Sequence, residues 1–309
     1  MGTKIRPLVS ADLPALFNLY CELQDTLPEV DLRVAQTQFS KHLSAARLYT
    51  PEDWYDKTAD VALVAEDAGE IVAYANGRLL QKGDFLLADN TGLIQWALGR
   101  RQQKPAITAV IEAVLASLQK HNPVAVHAFN SMTTPIFFGN LGGGLPAAWP
   151  WIAQSLLDLG FAAQTPAHLM WCDLTNGDAA TLKVPDGLEL LNGQTFVNDY
   201  CAGLESDLNS GFYLLDEGEF VGWCGNFFAG AFIEGAGHDY VFTHWFTVQE
   251  AYQGRGLGRW LLRQSHAHAR RNGAKGAMLL TDVHNFRAVS LYLTEGYRPL
   301  TLSHSFILE

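Results

Sequence analysis

The apolar and polar positions of the chain form a pattern that is used twice. In the first half, "VAEDAGEIVAYANGRL" places two strand-like runs on either side of a short acidic turn containing Gly69; in the second, "YLLDEGEFVGWCGNFF" does the same around Gly218. Two such runs around a glycine turn predict a β-hairpin. One constant offset carries Gly69 and Glu70 onto Gly218 and Glu219, Tyr74 onto Trp223, and Trp96 onto Trp245. After each hairpin comes a β-rich run and then a helical run, 106–122 in one copy and 256–273 in the other. Next come the strand-like VAVHAFN and AMLLTDVHN. Each is followed by a helix that ends in glycine plus an aromatic, Gly160–Phe161 and Gly296–Tyr297. The order hairpin, strand, helix, strand, helix, strand predicts an α/β fold (an α+β mixed sheet) in each copy, a mixed β-sheet flanked by helices. The turn-rich stretch from Thr175 to Gly187 marks the boundary, giving expected domains of 1–175 and 185–309.

The copies differ in the segment before their first long helix. The second has "TVQEAYQGRGLGRWLL", with Gly254, Gly256 and Gly258 at alternate positions; the first has "RRQQKPAI", without glycine and with Pro105 at a helix start. Alternate glycines let a backbone turn tightly and bring its N–H groups close to a phosphate at a helix N-terminus. A dinucleotide fingerprint would need a sixth-position glycine where Arg259 stands, and too little chain follows for the rest of such a fold. Farther along, the first copy carries Leu156 where the second carries Tyr292, and "SMTTPIFFGNLGGGLPAAWP" interrupts it before its last helix, as a loop expected to be mobile. The first copy therefore reads as structural.

Gln253, Gly256 and Gly258 spell QxxGxG between a strand and a helix, and "NFRAVSLYLTEGY" follows one strand later. In this order and spacing the two motifs resemble the acyl-CoA site of the GNAT superfamily of N-acetyltransferases. The likeness is sharp from about Asp239 to Tyr297 and faint elsewhere, although "IRPLVSADLPALFNLY" is similar to the first strand and helix of such a domain. The resemblance implies two tandem GNAT-like domains, the first degenerate and without a phosphate loop. The second would bind acetyl-CoA as acyl donor and transfer the acetyl group to a primary amine of a small molecule or peptide by direct attack in a ternary complex. A non-catalytic acyl-CoA sensor or partner-docking module is the alternative.

For donor binding, the resemblance implies the backbone of Phe246, Thr247 and Val248 for the pantetheine arm. The amides of Gln253, Gly254, Arg255, Gly256, Leu257 and Gly258 would hold the pyrophosphate, with Arg255 or Arg259 reaching a phosphate. Asn285 would bind the donor, cap the next helix, or both. Tyr292 stands where the family commonly carries the acid for the departing thiolate, and an ordinary tyrosine is protonated at neutral pH. For the base, alternation along "DYVFTHWFTV" puts His244 on the side of Phe242 and Phe246, with Asp239 as runner-up, disfavoured by parity unless a bulge intervenes. Glu250, Glu295 and the arginines 263, 270 and 271 are expected on solvated surface. His266 and His268 lack the spacing of a helical metal pair, so no metal site is expected.

Charge and composition narrow the partners. A net charge of −11 argues against a broad nucleic-acid surface. No run approaches the ~20 apolar residues of a membrane helix, and the four scattered cysteines read as reduced thiols, so a cytoplasmic protein is expected. The acceptor, the acyl length and the oligomeric state are not encoded in any motif.

Overall fold

The computed structural model describes residues 3–27, 36–43, 52–83, 87–130, 144–177, 180, 182–193, 209–228 and 240–309. They fall into two compact units, Met1–Ala167 with Thr301–Glu309, and His168–Leu300. Neither matches the expected contiguous division at 175–185. The reason is the destination of one strand per repeat.

The first unit contains β1 (Lys4–Pro7), α1 (Leu13–Gln24), α2 (Gln36–Leu43), β2 (Val61–Asp67), β3 (Glu70–Leu80), β4 (Thr91–Gly99), α3 (Lys104–Gln119), β5 (Val126–Ala128), β6 (Leu145–Pro146), α4 (Pro150–Asp158) and β7 (Ala162–Ala163). The second has β8 (Ala167–Asp173), β9 (Leu188–Asn192), β10 (Ser210–Asp216), β11 (Glu219–Phe228), β12 (Tyr240–Val248), α5 (Leu257–Arg271), β13 (Gly276–Asp282), α6 (Phe286–Thr294) and the start of β14 (Arg298–His304); the rest of β14, from Thr301, and β15 (Phe306–Leu308) fall in the first. The first sheet is ordered β1-β2-β3-β4-β5-β15-β7, and the second, read from its other end, β9-β10-β11-β12-β13-β8-β14-β6. The first seven positions of the two orders are the same once β8 and β15 are interchanged, and the second sheet adds β6 at its end, antiparallel to β14. Each sheet thus takes its sixth strand from the other repeat: β15 pairs antiparallel with both β5 and β7 in the first unit.

The repeat read from the sequence survives in backbone detail. Both hairpins turn through two residues with positive φ, Ala68 and Gly69 (51° and 86°) and Glu217 and Gly218 (50° and 86°). That combination closes a two-residue type I′ turn, and glycine adopts its second position without strain. Register shifts recur at equivalent places too, between Ala65 and Glu66 and between Leu214 and Leu215 in the hairpins, then where β3 meets β4 and β11 meets β12.

Packing follows the amphipathic pattern of the long helices. In the first unit α3 buries Ile107, Val110, Ile111, Val114 and Leu118 on the sheet, and on the other side Tyr20, Phe39 and Trp96 form a buried aromatic group. In the second, α5 presents Leu261, Leu262 and Ala269 to Leu214, Val221, Met170 and Leu279. Two surface expectations change here. Arg270 donates from Nε to the Leu174 carbonyl at 3.1 Å, and the Glu295 side chain is only 6% exposed, held by Arg259 at 2.8 Å and Arg263 at 2.7 Å. Cys21, Cys172 and Cys224 are free thiols, and Cys201 lies outside the described residues.

Candidate active site

The site begins where β12 leaves its parallel neighbour. β12 pairs with β11 from Val241 to Val248, but with β13 only from Tyr240 to Thr243. Beyond Thr243 its other edge has no strand partner among the described residues, so the backbone polar groups there are open to a ligand. β12 ends at Val248 and a short 3₁₀ turn, Glu250–Tyr252, leads into the glycine loop. Gly254 and Gly256 take φ of 78° and 79°, a left-handed conformation that other residues adopt at a cost, and a Cβ at either would meet nothing within 4 Å. Gly256 is the N-cap of α5, so the free amides and the positive end of that helix open on the same space.

That space is a cleft of about 490 Å³. One wall is Phe246, Thr247 and Val248 of β12; another is the loop and first turn of α5, from Gln253 and Gly254 through Gly256, Leu257 and Gly258 to Arg259. The third is α6, with Asn285, Arg287, Ala288, Leu291 and Tyr292. Gln253 ties the walls together: its Nε2 donates to the Val248 carbonyl at 2.7 Å while its Oε1 accepts from Arg287. Asn285 caps α6, its side chain accepting from the Ala288 amide at 3.2 Å, and it also faces the cleft. Tyr252, Arg287 and Leu291 were not singled out in the sequence, whereas Ala288, three after Asn285, belongs to the motif read there. The four-residue spacing of Arg287 and Leu291 beside that of Ala288 and Tyr292 was the available signal.

Tyr292 is 5% exposed and packs against Phe246 and Tyr297, with ring centroids 6.1 and 5.6 Å away. Burial, with a smaller contribution from Cys224, holds its phenol well above the ordinary value, so it remains protonated at neutral pH. Behind it, the Tyr297 hydroxyl lies 2.9 Å from His266 Nε2, and burial lowers that imidazole to about 3.

Three sequence-selected residues sit differently. Arg255 turns away from the cleft, donating to the Ala251 carbonyl at 3.1 Å with its guanidinium 5.0 Å above the Tyr252 ring. Arg259 lines the cleft while its Nε is engaged by Glu295. His244 is not on the cleft wall. The register passes from Gly225 opposite Trp245 to Asn226 opposite Thr243, so His244 is the extra residue of a β-bulge and simple alternation no longer assigns its face. It is half-buried, 5.9 Å from Phe227 and 6.3 Å from Phe242 by ring centroids. Asp239 lies outside the described residues.

Residues 186–297 match the Acetyltransferase (GNAT) family, and the match spans the free strand edge, the glycine loop and α6. The second unit carries a GNAT domain. Solved structures extend the likeness to the whole chain. A tandem GNAT protein from the clavulanic acid biosynthesis pathway, solved without acetyl-CoA, superposes with a TM-score of 0.69 at 15% identity, covering 100% of this chain and 98% of its own. A GCN5-related N-acetyltransferase from Sphaerobacter thermophilus gives 0.66 at 15%, covering 99% and 95%. The glucosamine N-acetyltransferase region of a fungal multi-domain GH3 β-N-acetylglucosaminidase gives 0.69 at 13%, covering 99% of this chain and 38% of that one. At these identities the neighbours establish the fold, a tandem GNAT architecture. No curated protein sequence matches the chain. Among the described residues no helix is long and apolar enough to cross a membrane.

Proposed function

We propose that the GNAT domain of the second unit is an acetyl-CoA-dependent N-acetyltransferase acting on a primary amine by direct attack in a ternary complex. One observation carries this reading: a single cleft gathers an unpaired strand edge, a left-handed glycine turn at a helix N-terminus and a buried, protonated tyrosine. The residues fit the donor. Side chains are missing where the pyrophosphate would approach Gly254 and Gly256, the α5 amides supply hydrogen bonds and partial positive charge, and Arg287 adds a cation held by Gln253. The amide-bearing pantetheine arm would pair with the open edge of Phe246–Val248.

Acyl transfer from a thioester to an amine needs a neutral nucleophile, a proton acceptor and an acid for the departing sulfur. Tyr292 is the acid: its hydroxyl gives a proton to the thiolate as the carbon–sulfur bond breaks. The attacking amine loses its proton through His244, directly or by way of water. The bulge that sets His244 off the cleft wall also supports the second reading, an acyl-CoA-binding sensor in which acid and base are not assembled.

Calorimetric titration of acetyl-CoA into the wild type and Gly256→Glu, followed by thiol release with a library of primary amines, separates these readings. Binding lost in the variant together with amine-dependent release supports the transferase. Binding without turnover on any amine supports the sensor, and no binding to folded wild type overturns both.

A further inference from the structure

The first unit has a cavity of its own, about 410 Å³, that belongs to no part of the acyl-donor cleft. It lies between α1, α2 and the sheet, walled by Leu13, Ser40, Leu43 and Val61, with Asn76 and Arg78 at its polar end. Gly77, between those two, faces the opposite side: a Cβ there would come within 2.7 Å of Val114 on α3. Asn76 and Arg78 therefore share the α1/α2 face. Asn76 is 6% exposed and its Oδ1 is buried without a hydrogen-bond partner. A buried amide oxygen without a donor is destabilising, and a ligand N–H would satisfy it. Charge at this end is balanced, because Arg78 is paired with Asp60 at 2.7 Å and lies 5.2 Å from the Tyr55 ring centroid.

The repeat gives the cavity its meaning. By strand register, Asn76 opposite Trp96 corresponds to Gly225 opposite Trp245, and Arg78 opposite Leu93 to Phe227 opposite Phe242. In the second unit this face carries Phe227 packed on Phe242 and His244. The first copy has no donor loop, yet at the matching place it keeps an open pocket with a polar end. We infer that the first unit is a ligand-binding module whose pocket takes a small neutral molecule with an amide N–H and a short aliphatic chain. The N–H donates to Asn76 Oδ1, and the chain lies against Leu13, Leu43 and Ala62, which stands opposite Asn76 on the same face. A net-charged ligand would leave its charge unpaired against the neutralised Asp60–Arg78 pair. This inference does not depend on catalysis by the second unit.

The test is methyl NMR on the full chain with N-butylacetamide as probe and butyrate and butylamine as charged controls. Saturable shifts are expected for Leu13 and Leu43 methyls with the amide, at least tenfold weaker for both controls, and absent from Leu257 and Leu291 at the donor cleft. Asn76→Leu should weaken amide binding at least tenfold. Ala62→Phe, which fills the cavity from β2, should abolish it, and this second variant decides the matter if Asn76→Leu does not fold. The inference is overturned by no saturable shift with the amide, by equal binding of a charged control, or by full affinity in a folded variant of either kind.

Discussion

β4 and β12 are the same strand of the repeat put to opposite uses. All nine residues of β4 are buried, whereas β12 is buried only to Thr243 and then alternates between exposed and half-buried positions. Strand sequence is not the main cause. In the first unit the Trp151 indole of α4 donates to the Gly99 carbonyl at 2.8 Å, taking an acceptor at the end of β4. Lys104 and Thr108 of α3 further tie α4 down, through Asp158 at 2.7 Å and Ser155 at 2.9 Å. In the second unit the corresponding strand end is met by the Gln253 amide, which stands at the margin and leaves a cleft. Leu156, fully buried on α4, occupies the place of Tyr292 and has no proton to give. Counting back nine from Gly160 and Gly296, Arg287 stands in the place of Trp151, so the last helix closes the strand end in one copy and lines a cleft in the other.

The contrast can be broken at its strongest point first. Tyr292→Phe should leave acetyl-CoA affinity unchanged and lower kcat by about 10²–10⁴-fold, the range for losing a general acid, as read by thiol release at saturating donor. Gly256→Glu forces a side chain into a left-handed turn and puts a carboxylate where phosphate is expected. Affinity for acetyl-CoA should fall by at least about tenfold, or roughly 1.4 kcal/mol, in calorimetry. The acid limb of stability provides a third test. Burial lowers His266 to about 3 in the folded chain, against an ordinary imidazole's 6.5 when unfolded, so below 6.5 the unfolded chain binds the proton first and stability falls as pH drops toward 3. In thermal melts His266→Gln should flatten that fall relative to wild type. Trp151→Phe removes the donor to Gly99 and should cost about 1 kcal/mol in denaturant unfolding without touching donor binding. Smallest is Arg263→Ala, an exposed partner of Glu295, worth less than about 1 kcal/mol and with no effect on turnover.

What the sequence revealed was what local chemistry dictates. Gly69 and Gly218 announced their hairpins because a type I′ turn asks for glycine at that place, and Gly254 and Gly256 announced a ligand-facing loop because a left-handed turn with open space above it does the same. Leu156 and Tyr292 could be equated by counting back from Gly160 and Gly296. Non-local arrangements were hidden. The bulge at His244 depends on how β11 and β12 pair, so alternation alone could not assign its face. Glu295 looked like a surface acid because its partners Arg259 and Arg263 are distant in sequence. The interchange of β8 and β15 left no trace, since the sheet a strand joins is decided by partners far away in the sequence.

That interchange has a consequence for the order in which the protein can be made. β5 of the first sheet is translated long before β15, which lies beyond the whole second unit. At a synthesis rate of about 5–20 residues per second, the first sheet waits many seconds for its sixth strand. Meanwhile β5 presents an unpaired edge that invites pairing with another nascent chain. The two halves are therefore one assembly in time as well as in sequence, and a chain cut between them would leave the first sheet without β15 and the second without β6 and β8.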